Sequence, residues 1–425
     1  MQNNGQNTAL KEKETNVAQN SATKQTPENY VPIRRKPQTI YSKNRRRPNK
    51  DGKLTIGKVA IRTTAVIMTF VLAVVVLLYC GLGMLCMNRV SKEEKAKGNI
   101  SEILYITVPT FLETGAFKFI PSLYLSKDSI QSIVDKNKMK DMDADVNEDL
   151  INFGSSTLGP LNIDTTIDMK DNEQNTNADN SIEIHEISGA TYYGTMMIVK
   201  DPSRVSLATI YPWRETGVTL DQLVKDNGAI GGINGGLYNS NNNTGGIPYG
   251  VIVSNGEIQM NKPQQWPGLV LVGLTENNVL QIIDVSKMNA KQVENLIKEK
   301  KIRDAVTFQD EASDANNHFV QLIINGEERE MNGMGSGLNP RTVIGQRSDG
   351  AILMFVTDGR GKNGHLGASA SDLIEVMKNY GAVNAANLDG GSSSCMYYNN
   401  EYLMTSVTFY YTNASWKLPA GFVVK

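Results

Sequence analysis

Cysteine and histidine are scarce in this 425-residue chain, with three of each. Cys80 and Cys86 share one apolar run, so Cys395 stands alone in the rest and no intrachain disulfide can form there. Cys395 reads as a small buried apolar residue. Histidines occur only at 185, 318 and 365. That leaves no cluster with the ligand spacing of a zinc site and no legible Ser–His pair, and only His365 falls near the polar cluster described below. No Lys follows the glycines of "DGGSSS", which excludes a phosphate loop of the nucleotide type. No cofactor is expected on these grounds, and a divalent ion held by Asp-rich edges is the one addition they leave open. No internal repeat of roughly 20–50 residues stands out either.

Net charge is nearly absent overall, at −1, because two opposite regions cancel. Residues 1–62 hold 14 Lys/Arg against 4 Asp/Glu, and the remainder holds 29 against 40. Between them lies "TTAVIMTFVLAVVVLLYCGLGMLCM", residues 63–87, without a charge. A bilayer span needs roughly 20 apolar residues, whereas a cleaved signal has a shorter apolar core near the start of the chain. The expectation is a retained single-pass anchor, with the basic arm cytoplasmic and everything after Met87 extracytoplasmic. The lipid bilayer is then a partner, and the negative outer region argues against nucleic acid.

The chain divides by texture. Residues 1–62 read as a disordered basic arm, 63–87 as the transmembrane helix, 88–140 as a juxtamembrane helical stalk and 141–181 as an acidic linker. Residues 182–425 alternate short apolar runs with turn signals and a few helical patterns. They predict one α+β or mixed α/β domain with a mixed sheet and a few flanking helices. "TLDQLVKDNG" carries a helix start at Thr219 with Gln222 as capping-box partner, and "GVIVSNGEIQM" turns as a hairpin at Asn255-Gly256.

The chemistry gathers in residues 339–394. "RTVIGQ" and "AILMFVT" flank the turn "RSDG" and predict an antiparallel hairpin that sets position 341 opposite Val356, within one residue. "AILMFVT" is apolar throughout, as a strand buried on both faces would be, and it ends at Asp358-Gly359-Arg360. A helix capped by Ser371 or Asp372 follows, then "AVNAANL", ending at Asp389-Gly390-Gly391. Strand, helix, strand within one sheet run parallel, so Asp358 and Asp389 should face one crevice with Arg341 and Arg360 beside them. Gly390, Gly391 and Ser392 let a ligand approach the backbone closely. Each Asp-Gly pair alone is an ordinary turn former, and either Arg alone has a structural or solvated reading. Together, two carboxylates suit a glycosidic carbon and guanidinium forks suit a phosphate.

"GGINGGLYN", "GGIPYGVIVSNGEI", "NPRTVIGQRSDGAILMFVTDGR" and "GAVNAANLDGGSSS", in this order, resemble the phosphodiester glycosidase family over about residues 183–425. The resemblance implies hydrolysis of a sugar-1-phosphodiester, N-acetylglucosamine-like, to a free sugar and a phosphomonoester. It implies Asp389 as nucleophile or general base, Asp358 as its partner, Arg341 and Arg360 on the phosphate, and Asn234 orienting the sugar. The expected partner is a phosphodiester-linked glycan such as a wall polymer or exopolysaccharide. Two further readings stay open: a wall-polymer phosphotransferase, and a catalytically silent glycan-binding protein.

Overall fold

The structure is a computed structural model describing residues 100–114, 117–153, 168–170, 181–311, 318–406 and 414–425. The basic arm, the apolar run at 63–87 and much of the acidic stretch lie outside the described residues. Among the described residues no helix is long and apolar enough to cross a membrane.

Two helices come first, α1 (Ile100–Glu113) and α2 (Lys127–Asp135). Strands β1 (Asp168–Lys170), β2 (Ile182–Ser188), β3 (Tyr193–Val199) and β4 (Val205–Thr209) lead to α3 (Leu220–Asp226) and β5 (Gly231–Asn234). Next are β6 (Val251–Ser254), β7 (Glu257–Asn261), β8 (Leu269–Thr275), β9 (Leu280–Asp284), α4 (Ala290–Glu299) and β10 (Ile302–Gln309). Then come β11 (Gln321–Ile324), β12 (Glu327–Glu328), β13 (Thr342–Arg347), β14 (Ile352–Thr357) and α5 (Ala370–Asn379). The remaining strands are β15 (Ala382–Asn387), β16 (Cys395–Tyr398), β17 (Glu401–Thr405) and β18 (Ala420–Val424).

The class is α+β, with the strands spread over three sheets rather than one. Their orders are β1-β2-β3-β14-β13-β15-β11-β12, β7-β6-β10-β8-β9 and β17-β16-β5-β18-β4. Neighbouring strands pair antiparallel. β14 and β15 do run parallel to each other across the α5 crossover, but β13 sits between them and pairs with both. β13 pairs with β14 across their short turn on one edge and with the returning β15 on the other.

The wholly apolar β14 has a physical reason. Its residues alternate between two cores: Ile352, Met354 and Val356 face the core shared by the sheets, and Leu353 and Phe355 face α5. α5 answers with Leu373, Val376 and Met377. Each such fully buried side chain contributes about 1.5–3 kcal/mol.

Local signals hold with some displacement. Asn255 and Gly256 take the left-handed backbone of a two-residue hairpin turn. α5 starts two residues before the expected cap: Ser369 is the N-cap and closes a reciprocal box with Asp372. Thr219 does precede α3, but its side chain caps no amide, and Gln222 donates instead to Asp226. Contacts also cross residue 182. α1 buries Ile106, Val108, Phe111 and Leu112, and its backbone at Pro109 and Thr110 packs so closely on Gly337 that a Cβ there would lie 2.5 Å away.

Candidate functional site

The C-terminal ends of β14 and β15 and the N-terminal end of β13 meet at one end of the large sheet, since Thr342 pairs with Val356 and Val343 with Asn387. Asp358 stands one residue past β14 and Asp389 two past β15. Arg341 lies opposite Thr357, its N–H donating to the Thr357 hydroxyl and its carbonyl accepting from the Thr357 N–H.

Asp358 is buried and both its oxygens are taken. Oδ1 accepts from the Tyr193 N–H at 2.8 Å, and Oδ2 meets His365 Nδ1 at 2.7 Å. Its bonds go to Tyr193 and His365 and not to Asp389, whose partner it was expected to be. Beside it, burial and then a hydrogen bond to Glu186 push the Tyr193 phenol well up.

Asp389 sits on a different footing. Its main chain is gripped from the third sheet, where Asn234 Nδ2 donates to the Asp389 carbonyl at 2.7 Å. Asn234 Oδ1 accepts from the Thr342 hydroxyl and the Cys395 N–H, at 2.8 and 3.1 Å. The buried Asn234 amide therefore ties three segments together, and the structure gives it a positioning place rather than an open sugar-binding one. Burial raises the Asp389 carboxyl to about 7, while bonds from Ser393 and the Gly390 N–H and the charge of Arg360 pull the other way. Such a group gives up and regains a proton near neutrality, as a general base must.

Arg360 is the guanidinium turned toward Asp389. Burial lowers its pKa to about 10, Arg341 pushes the same way and Asp389 opposes. It stays cationic at neutral pH. Its Nη1 donates to the Ser392 hydroxyl at 2.8 Å. Its backbone is left-handed at φ +54, a strained state for an arginine. Gly391 also has positive φ, +62, and a Cβ there would come within 2.5 Å of Arg360 Nη2. Gly391→Ala should therefore cost at least about 1 kcal/mol of stability. It should also weaken anion binding by displacing the guanidinium, which urea melts and titration with inorganic phosphate would show. Gly390 packs on the Pro340 carbonyl, where a Cβ would lie at 2.9 Å.

Arg341 is committed inward. Nη2 donates to Glu113 Oε2 at 2.6 Å, to the Gly337 carbonyl at 2.8 Å and to the Ser336 hydroxyl, and Nε donates to the Ala368 carbonyl. The sequence reading missed Glu113. Its carboxylate also accepts from the Gly337 N–H at 2.6 Å and from Asn339 Nδ2. The only signal was a lone acid in an otherwise apolar stalk segment, with nothing to name its partner 228 positions away. Tyr238 was missed as well: its buried hydroxyl meets Ser393 at 2.9 Å, beneath Asp389.

Cys395 and His318, set aside from the sequence, are a buried and a half-buried group here. Burial drives the Cys395 thiol far up, which suits an inert core residue. Burial, then Arg341 and Lys118, lower His318 to about 4, which keeps it neutral. Among the described residues no group of His, Cys, Asp and Glu has the arrangement of a metal site.

The chain thus carries an α+β domain with Asp389 and Arg360 gathered beside a glycine-serine turn at a sheet end. Residues 227–425 match the family model described as phosphodiester glycosidase. In Bacillus subtilis (strain 168) an SPbeta prophage-derived uncharacterized protein, YomE, is 43% identical over 56 residues, 13% of this chain. The match spans 8% of that protein's length. Similar solved structures include the zebrafish N-acetylglucosamine-1-phosphodiester alpha-N-acetylglucosaminidase catalytic domain auto-inhibited by pro-peptide. It is 17% identical with a TM-score of 0.44, over 61% of this chain and 88% of that one. A hypothetical protein from Synechocystis is 16% identical with a TM-score of 0.36, over 58% and 62%. A putative exported protein from Burkholderia pseudomallei K96243 is 14% identical with a TM-score of 0.34, over 56% and 74%.

Proposed function

We propose that the domain hydrolyses a sugar-1-phosphodiester of the N-acetylglucosamine type, releasing free sugar and a phosphomonoester. The observation that carries this is the neighbourhood of Asp389, raised to about 7, and the Arg360 guanidinium, each felt by the other's charge, with Arg360 bonded to Ser392 of the glycine-serine turn that follows Asp389. Asp389 takes the proton of the water attacking C1. Arg360 holds the phosphate as the C1–O bond breaks and charge collects on the leaving oxygen. Arg341 lends its charge from behind, since it is already paired with Glu113. The two guanidiniums repel each other, and a bound phosphate relieves that repulsion.

The setting proposed is the outer face of a cell membrane, with residues 63–87 as anchor and a wall polymer or exopolysaccharide as substrate. The uncharged run and the basic residues before it support this.

The test uses the full chain in detergent with an N-acetylglucosamine-1-phosphodiester, following free sugar and phosphomonoester together. Both products should appear in equal amounts. Arg360→Lys keeps the charge but loses the fork, so KM should rise about tenfold or more with a smaller change in kcat. Transfer of the glycan without free sugar would overturn the reading.

A further inference from the structure

Asp358 and His365 form a dyad that the two-residue scheme above does not use. Asp358 is 1% exposed and pinned by the Tyr193 N–H, so it is a fixed carboxylate. It holds His365 through Nδ1, while the ring remains 31% exposed. A buried carboxylate on one ring nitrogen orients an imidazole and leaves the other nitrogen for a proton transfer. The loop carrying the ring is wound tightly. Arg360, Gly361, Asn363, Gly364 and Gly367 all have positive φ. The Arg360 N–H donates to the Leu366 carbonyl, and the Gly361 N–H to that of His365. The same loop therefore presents the strained Arg360 and His365 from its two arms, a costly winding that a plain connection has no reason to keep.

We infer that His365, held by Asp358, is a further catalytic residue: its Nε2–H donates a proton to the phosphate group as that group leaves. This rests on the proposed hydrolysis. The step balances. A water oxygen bonds to C1 and its proton goes to the Asp389 carboxylate. The C1–O bond breaks with its electron pair on the phosphate oxygen, and the proton from His365 neutralises one negative charge there. Solvent then takes the proton from Asp389 and returns one to His365. Asp358 is a positioning residue in this scheme. Asp358 is the charged group bonded to the ring, Tyr193 feels the same Asp358 charge and bonds Glu186, and Arg360 stands on the loop that carries His365.

Two measurements on the full chain decide it. In the first, His365→Gln should lower kcat about 10²-fold, the usual scale for one proton donor, with KM changed less than threefold. It should also abolish the alkaline limb of the parent's pH profile, and Asp358→Asn should blunt the same limb. In the second, imidazole NMR of a chain with only three histidines is assigned by that variant and titrated with inorganic phosphate. The His365 signal should move and the His185 signal should not. Parent-like kcat with an intact alkaline limb in His365→Gln, or a His365 signal indifferent to phosphate, overturns the assignment. If the parent released no sugar, the hydrolytic reading would fall instead, and the phosphate titration would still decide whether His365 stands at the anion.

Discussion

Asp389→Asn is expected to abolish sugar release and, in the same variant, to stabilise the protein at neutral pH. The activity loss follows from removing the base, about 10²–10⁴-fold. The stability gain follows from the raised carboxyl, about 7 against an ordinary 3.8. A folded-state pKa above the unfolded one means that the protonated group favours folding. Below about pH 4 both states hold the proton and Asp389 costs nothing. As pH rises toward 7 the unfolded chain releases its proton first, and native stability drains away. Asparagine does not titrate, so the variant's advantage should be near zero at pH 3. It should grow to the order of 2–4 kcal/mol by pH 8, at about 1.4 kcal/mol for each unit of displacement. Thermal melts of both proteins across that range are the measurement. A constant offset at all pH values would contradict the buried-carboxyl account, and retained turnover would remove Asp389 from the mechanism.

Glu113→Ala should be the most destabilising single change in the region before residue 182. It leaves the Arg341 guanidinium buried without a counter-charge, at 7% and 9% side-chain exposure for the two partners. Breaking such a pair costs about 3–5 kcal/mol, and here the lower end is expected because Arg341 keeps carbonyl partners at Gly337 and Ala368. Glu113→Gln preserves the acceptor for the Gly337 N–H and should cost less. Urea unfolding distinguishes the two, and equal midpoints for parent and Glu113→Ala would show the pair to be dispensable. A fragment beginning at residue 182 should fare worse. It would lack Thr110, whose hydroxyl accepts from the Leu338 N–H, and the four buried apolar side chains of α1.

What the sequence made legible was local. The β13–β14 hairpin and the placement of Arg341 could be read because a turn signal and two apolar runs sit within seventeen residues of one another. The α5 crossover could be read because a helix between two strands leaves few connections. The insertion of β13 between β14 and β15 could not, since pairing choice depends on which strand edge is still free. The cap at Ser369 lost out to Ser371 and Asp372 because three capping-competent side chains stand within four positions. Only the reciprocal bond in the folded chain selects among them. Asn234 was reached through the family resemblance, as a residue orienting the sugar. Its role in gripping the Asp389 main chain depends on a contact between sheets that no periodicity encodes.

The third sheet also constrains how the molecule assembles in time. β5 carries Asn234, yet its two neighbours are β16 and β18, so its ladder closes with segments about 160–190 residues later in synthesis. For that interval the strand is an orphan with two open edges. Its composition, Gly231-Gly232-Ile233-Asn234, makes it a poor template for wrong partners, because glycine is disfavoured in strands and offers no side chain to zip. The glycines that let Phe422 and Tyr397 approach in the finished sheet thus also keep the half-made chain from sticking to itself while it waits.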